Sequence, residues 1–387
     1  MIYDTIYHPQ SKQFVSIYST SGKEILTNYI KQLGGKKIGQ GVAKCVFSPP
    51  IKCHNKTMRF QKRLTSSNDY VSAVMEVDSA KTEKKEISIL KKLDPKGEFT
   101  LPLVHECKIG EMDPTEESRD QFEECSNLEE YSYPFNHQNL TQLIFEKGGK
   151  EVHDLIFNMN YEEKNIYKID MCKFIQNFKT VIYGLSVMNK NGYIHSDLKP
   201  QNILFNQKTN RFYIIDFGFT GHKNTFFEKQ DGIYFDYINR YEYWPIDSGI
   251  ANFLNDPRKN IDDIINEISR THLNKTRYNQ LKVQDHPKFI DMSIDRFDVY
   301  SLGISMAKIF DDYLFKILRK EAILSKSKIT LLKKKLRQLI RKMLEPNPIN
   351  RLSIHKVLDE YNFIMKQIFS PPSKSKKKQH KKNNKKI

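Results

Sequence analysis

The residues best suited to chemistry by type and spacing lie in Tyr193–Phe205, which reads YIHSDLKPQNILF, and in FYIIDFGF, which sets Asp216 fourteen residues after Asn202. The first stretch supplies a carboxylate at Asp197, an ammonium two residues on at Lys199 and a primary amide at Asn202; the second adds another carboxylate. An Asp and an Asn in a polar turn ordinarily cap that turn by accepting its backbone N–H groups. Two carboxylates, an amide and a lysine in this order offer more, because their oxygens suit a hard divalent cation and a positive charge stands beside them.

The ordered pair of stretches resembles the protein kinase superfamily, whose catalytic loop reads HRDLxxxN and whose metal-binding turn reads DFG. The resemblance runs from about Lys36 to Phe369. It implies transfer of the γ-phosphate of ATP with Mg²⁺ or Mn²⁺, a reaction in which the protein chiefly positions the reactants and neutralises charge on three phosphate oxygens. By that resemblance Asp197 is the base that orients the acceptor hydroxyl, and Asn202 and Asp216 hold the metal. Lys199 resembles the lysine with which Ser/Thr kinases touch the transferring phosphate, so the implied acceptor is a serine or threonine of a protein. The Lys-Pro that follows Asp197 separates the chain from small-molecule kinases. DVYSLG, with Asp298, looks like the helix whose Asp holds the catalytic-loop backbone, and NPINRLSIHKVL resembles the final family motif and supplies Arg351. In kinases that arginine pairs with the Glu of an APE triplet. Here the aligned residues are Trp244-Pro245-Ile246, which leaves Asp247 either as the substitute acid or as an ordinary loop residue. The same resemblance assigns Leu90, His195 and Phe217 to an apolar spine and Val46, Val71 and Leu204 to the two faces of adenine, although core packing alone would also explain such residues. Backbone near Glu146, Lys147 and Gly148 would meet the adenine edge.

Two positions depart from the family pattern. The phosphate-covering loop, GxGxxGxV in kinases, reads here Gly39-Gln40-Gly41-Val42-Ala43-Lys44-Cys45-Val46, with Lys44 at the third glycine. The strand that should carry a lysine against the phosphates reads Tyr70-Val71-Ser72-Ala73-Val74-Met75, with Ala73 at that place. The with-no-lysine (WNK) kinases share both features, so the resemblance implies that Lys44 replaces the missing ammonium and pairs with Glu86 of KKEISIL, or with Glu83 in the alternative register. Three other readings stay open. In one, Ala73 marks a catalytically impaired scaffold that still binds ATP; in another, the strand is TMRFQKRL and its lysine is Lys62; in the third, Ala73 is an introduced change in an enzyme that normally carries lysine there, and Lys44 is incidental. Ser196 replaces the arginine that grips a phosphorylated activation loop, so control through Thr220 or Thr225 is not expected.

The elements that must position these groups follow from periodicity. KKIGQGVAKCVF, YVSAVMEV, FTLPLVHECKIG and LTQLIFEKGG read as strands, and AKTEKKEISILKKL as one helix between them. After residue 150 amphipathic helices dominate: IDMCKFIQNFKTVIYGLSVMNKNG, DVYSLGISMAKIFDDYLFKIL and ITLLKKKLRQLIRKML. The expected fold is therefore α+β and bilobal, a small antiparallel sheet with one helix set against a larger helical lobe. Its expected divisions are an extension at 1–35 with a helix in GKEILTNYIKQL, a first lobe at 36–147, a second at 148–369 and a Lys-rich tail at 370–387. An acidic stretch at 111–130 and an insertion at 249–290 read as additions to that plan.

Composition bounds the rest. The formal charge is +17, but the last seventeen residues hold eight lysines and no acid, so the remainder carries +9 and the folded body is a weak candidate for binding nucleic acid. A weak nucleic-acid or acidic partner for the tail is the further expectation, with oligomeric state left open. Five scattered cysteines without CxxC spacing disfavour a disulfide framework and a zinc ribbon. No apolar run is long enough for a membrane span, and a cytoplasmic protein is expected. IGQGVAKCVFSPPIKC and the heavy use of Asn, Ile and Lys resemble the kinases of giant nucleocytoplasmic DNA viruses, which would place the chain in a host cytoplasm or a virion.

Overall fold

The strand-forming stretches pair much as their alternation suggests in the computed structural model, which describes residues 5–8, 13–16, 19, 36–40, 44–51, 53–54, 69–109, 125, 139–158, 169–226, 241–245, 247–248, 286–310, 314–315, 317–318 and 324–370. A hairpin of β1 (Thr5–His8) and β2 (Gln13–Ser16), not anticipated from the sequence, comes first. β3 (Lys36–Gln40), β4 (Cys45–Ser48), β5 (Tyr70–Glu76), β6 (Leu103–Lys108) and β7 (Leu140–Glu146) then form one antiparallel sheet in the order β3-β4-β5-β7-β6. Helix α1 (Val77–Leu93) follows β5 directly. The expected helix in GKEILTNYIKQL, the strand TMRFQKRL, residues 249–285 of the insertion at 249–290 and the tail from 371 lie outside the described residues, as does the acidic stretch apart from Cys125; residues 286–290 of that insertion are helical.

Side chains along β5 divide between the two faces of the sheet, as a period of two requires. Ala73 and Met75 pack with Leu143 and Ala80 under α1, whereas Val74 joins Cys45, Phe47, Ile51, Ile109 and Leu140 in a separate core on the opposite face. Register places Val46 directly opposite Ala73 and Cys45 opposite Val74. Lys44, two residues before Val46, therefore belongs to the face of Ala73 rather than that of Cys45.

The cysteines correct the expectation drawn from their spacing. Cys45 is disulfide-bonded to Cys125, and Cys53 to Cys107, while Cys172 is free. Sequence separations of 80 and 54 residues hide these pairs. For the second pair the sheet brings the two together, Cys53 bridging to Ile109 beside the end of β6, which carries Cys107. His105 completes a group with Cys53 and Cys107 whose ligand atoms lie within 4.8 Å of one another, but two sulfurs bonded to each other offer no thiolate to a metal.

A short connection, Lys147–Gly149, leads from β7 to β8 (Lys150–Glu151) and the helical part: α2 (Met171–Asn177), α3 (Lys179–Lys190), α4 (His286–Asp295), α5 (Phe297–Ile309), α6 (Lys326–Met343) and α7 (Ile354–Phe369). The long apolar pattern from 169 to 192 forms α2 and α3 on either side of Phe178, which stays in the right-handed helical region. Phe178 sits edge-on to Phe212 and Phe310 at the centre of the largest core. Ser325 and Ser353 cap α6 and α7 by accepting from the N–H groups of Lys328 and Lys356. Between α3 and α4 the Tyr193–Phe205 stretch is held by short strands: β9 (Tyr193–Ile194) pairs with β12 (Gly221–His222), and β10 (Ile203–Asn206) lies between β8 and β11 (Arg211–Ile214). No described helix is long and apolar enough to cross a membrane.

Candidate active site

Asp197 lies in the irregular segment between β9 and β10 and is only 5% exposed. Both of its carboxylate oxygens are engaged. Oδ2 accepts from Lys199 Nζ at 2.8 Å and from Asn202 Nδ2 at 2.9 Å, and Oδ1 accepts from the hydroxyl of Tyr241. Asn202 also donates to the Asp197 carbonyl at 2.8 Å, so its amide closes the loop on which both residues stand. Asn202 is within reach because Pro200 opens a turn of 3-10 helix over Pro200–Asn202 that folds the chain back, the Asn202 N–H donating to the Lys199 carbonyl at 2.9 Å.

The backbone beneath this cluster is strained and firmly held. Ser196 has φ +61° and Asp216 φ +62°, conformations that cost a residue with a side chain about 1–3 kcal/mol and persist only where the surroundings enforce them. At Ser196 the enforcement comes from Asp298 of α5, whose carboxylate accepts the N–H groups of His195 at 2.8 Å and Ser196 at 2.9 Å. Ser196 Oγ donates to the carbonyl of Phe219 at 2.6 Å, and the Trp244 indole donates to that of Ser196 at 2.7 Å. Burial pushes the Asp298 carboxyl up, against the opposing pull of His195, the two N–H donors and Lys223. Next to Asp216, Phe217 packs at 5.0 Å on the ring of His195, which is fully buried.

A cavity of about 1080 Å³ runs from this cluster to the sheet and α1. Lys199, Asn202 and Asp216 line its lower side, and Lys44, Val46, Val71, Ala73 and Glu83 its upper side, with Leu204 below the valines. Among the expected site residues, the structure thus gathers Lys44, Val46, Val71, Glu86, Lys199, Asn202, Leu204 and Asp216 around one space. Asp197 stands behind that wall. Glu146 and Gly148 stand at the connection between the two halves without lining it, and Gly148 fits there because a Cβ would come within 2.7 Å of Leu204 Cδ1. Gly39 lies in β3, and Gly41 is outside the described residues.

Lys44 points into this space, its Nζ 2.7 Å from Glu83 Oε1, with 24% and 21% of the two side chains exposed. The carboxylate that meets it is therefore Glu83, the alternative register, and not Glu86. The two acids are three residues apart on one face of α1, which packs through Ala80 and Ile87 with Ala73 and Met75 of the sheet. Strand β5 is the YVSAVM stretch, and Ala73 contributes only a methyl group to the cavity.

Arg351 and Asp247 form a buried ion pair, Nη2 to Oδ1 at 2.5 Å, with 0% and 1% of the side chains exposed. Of the two open readings of Asp247, this geometry matches the substitute acid. Residues missed at the sequence level include Glu151, which lines the cavity and whose carboxyl is pushed up by burial and then by Asp154. Tyr241 is the larger omission. Its segment, YEYWPID, is rich in aromatic residues immediately before Asp247, and that density was the available clue.

Residues 35–231, just over half of the chain, match the protein kinase domain family. The chain is 36% identical over 108 residues to cyclin-dependent kinase F-3 of Oryza sativa subsp. japonica, an alignment covering 25% of this chain and 24% of that protein. It is 37% identical over 78 residues to calcium-dependent protein kinase 4 of Plasmodium berghei, covering 19% and 13% respectively. Serine/threonine-protein kinase Kist of Homo sapiens is 28% identical over 93 residues, 23% of this chain and 21% of that one. The chain spans about a quarter or less of the length of these relatives.

Proposed function

The chain belongs to the protein kinase family, and we propose that it is an active enzyme transferring the γ-phosphate of ATP to serine or threonine hydroxyls of proteins, with Lys44 supplying the cation that Ala73 cannot. The observation that carries this reading is the Lys44–Glu83 ion pair at 2.7 Å on the wall of the same cavity as Ala73. A lysine paired to a helix carboxylate is held with its ammonium towards the nucleotide, and its charge is available without reorganisation when negative charge develops on the phosphates. Strand geometry supports the exchange, since Lys44 and Ala73 serve one face of the sheet.

Asp197 orients the acceptor hydroxyl through Oδ1 and takes its proton as the new bond forms, while Lys199, anchored on Oδ2, faces the transferred group. Val46, Val71 and Leu204 enclose the adenine. The donor set fits a hard divalent ion: Asp216 offers a carboxylate to the cavity, and Asn202, with its nitrogen committed to Asp197, leaves its carbonyl oxygen for coordination. Mg²⁺ or Mn²⁺ bound there would neutralise charge on the phosphate oxygens. The likeness to giant-virus kinases supports action in a host cytoplasm or a virion.

The test is transfer from labelled ATP, with Mg²⁺ or Mn²⁺, to a generic acceptor protein, followed by identification of the phosphorylated amino acid. Label on serine or threonine is expected, with Asp197→Ala reduced to background and Lys44→Ala about a hundredfold slower, the loss for one preorganised donor. Ala73 favours a second reading, a nucleotide-binding scaffold without transfer. A starting protein no more active than Asp197→Ala would establish it.

A further inference from the structure

His105 and Cys107 stand two residues apart on β6, the last strand of the main sheet, so their side chains leave the same face of it. Cys53 is brought against them by backbone pairing: it bridges to Ile109, and the N–H of His54 donates to the Lys108 carbonyl at 3.0 Å. The ligand atoms of all three side chains lie within 4.8 Å of one another. A second observation concerns what surrounds the sulfurs. Gln142 is fully buried opposite Cys107 on β7; its Nε2 donates to the Ile51 carbonyl at 2.7 Å and lies 3.3 Å from Cys107 Sγ and 3.8 Å from Cys53 Sγ. A neutral sulfur is a weak acceptor for that N–H, whereas a thiolate takes it as a charge-assisted bond. We propose that, once the Cys53–Cys107 disulfide is reduced, Cys53, His105 and Cys107 bind a zinc ion through two thiolates and one imidazole nitrogen, with water in the fourth position. This site is independent of the transfer activity put forward above.

A dithiol reductant opens the pair: its thiolate attacks one sulfur, the Cys53–Cys107 bond breaks, and the reductant leaves as its own disulfide, having given two electrons to the protein sulfurs. Both thiols then lose their protons to solvent as the ion takes the thiolates, whose two charges cancel its own. Arms of about 2.3 Å to sulfur and about 2.0–2.1 Å to nitrogen set tetrahedral ligand atoms roughly 3.5–3.8 Å apart, a spacing that this group approaches once the sulfurs part. Thiolate and imidazole select zinc, whereas the oxygens of Asp216 and Asn202 suit a harder ion, so the two sites take different metals. The other disulfide offers no such centre, because among the described residues neither Cys45 nor Cys125 belongs to a group of three ligating side chains. The consequence is structural. Where a reducing compartment opens the disulfide, zinc keeps the segment after β4 tied to β6.

The full chain, reduced with a phosphine in the absence of oxygen, stripped with a chelator and then freed of both reagents, should bind one equivalent of Co²⁺. The complex should show thiolate-to-cobalt charge transfer and the visible bands of a tetrahedral ion, and Zn²⁺ should displace the cobalt. Cys107→Ser and His105→Ala should each weaken zinc by more than about a hundredfold, beyond the loss that a supporting residue gives. Cys172→Ser and Asp216→Ala should leave zinc affinity within about twofold, which separates the site from the free thiol and from the cavity. Zinc should raise the thermal midpoint of the reduced chain and leave that of the oxidised chain unmoved. A reduced chain that takes up neither ion, uptake undiminished in Cys107→Ser or in His105→Ala, or equal uptake by the oxidised chain overturns the proposal and leaves the kinase reading intact.

Discussion

A guanidinium sealed from water needs a carboxylate, and Arg351 has one in Asp247 although the family's usual acid is absent. Breaking such a pair leaves an uncompensated buried charge, which typically costs about 3–5 kcal/mol. Asp247→Ala should therefore lower the free energy of unfolding by that order in urea titrations, and Asp247→Glu should recover part of it. The second prediction concerns Lys44. If one ammonium on this face of the sheet suffices, its exact attachment matters less than its presence. Ala73 lies opposite Val46 and opens onto the same cavity, so a lysine at 73 can reach the space that Lys44 fills. Lys44→Ala should lose about two orders of magnitude in kcat, and adding Ala73→Lys to it should restore at least a tenfold part of that loss. A double variant as slow as Lys44→Ala would assign Lys44 a structural role in place of the catalytic one.

Helix α1 decides a question its sequence leaves open. Glu83 and Glu86 are one turn apart, either spacing suits an amphipathic helix, and only the docking of Ala80 and Leu90 sets which acid meets Lys44. Glu83→Gln should slow transfer by about ten- to a hundredfold, because the ammonium loses its anchor, whereas Glu86→Gln should change it by no more than about threefold. Steady-state kinetics on both variants checks the order; the reverse order would restore the Glu86 register. The same contrast explains what was legible beforehand. Alternation and helical periodicity marked four strand stretches, the first of which holds both β3 and β4, together with α1 and the patterns that form α2, α3, α5 and α6, because those patterns are local consequences of burial. Asp197, Lys199, Asn202 and Asp216 were legible because they sit at short fixed spacings. What escaped depends on residues distant in sequence: the cysteine pairs, 80 and 54 residues apart, the choice of Glu83, and Tyr241, which reaches Asp197 across 44 residues of chain.

Across the whole molecule, charge and chemistry are separated. Among the described residues, every group lining the cavity lies between residues 44 and 217, while eight of the chain's lysines stand after residue 370 in the sequence. Removing residues 371–387 lowers the formal charge from +17 to +9 and leaves in place all the described residues that line the cavity. Transfer to a small acceptor peptide should then stay within about twofold of the full chain, the range of a surface change of about 0.5 kcal/mol. Binding to a polyanion should respond quite differently. Each lysine that neutralises a phosphate releases a counterion, so log affinity falls with log salt at a slope of about −0.9 per contact on duplex DNA. If the tail supplies the contacts, the slope measured by fluorescence anisotropy between low and physiological salt should flatten by several units on truncation, and binding should nearly vanish at the higher salt. Equal slopes with and without the tail would move any polyanion site onto the folded body, where α6 carries Lys333, Lys334, Lys335, Arg337, Arg341 and Lys342 along a single helix. Charge reversal on α6 would then be the variant that flattens the slope.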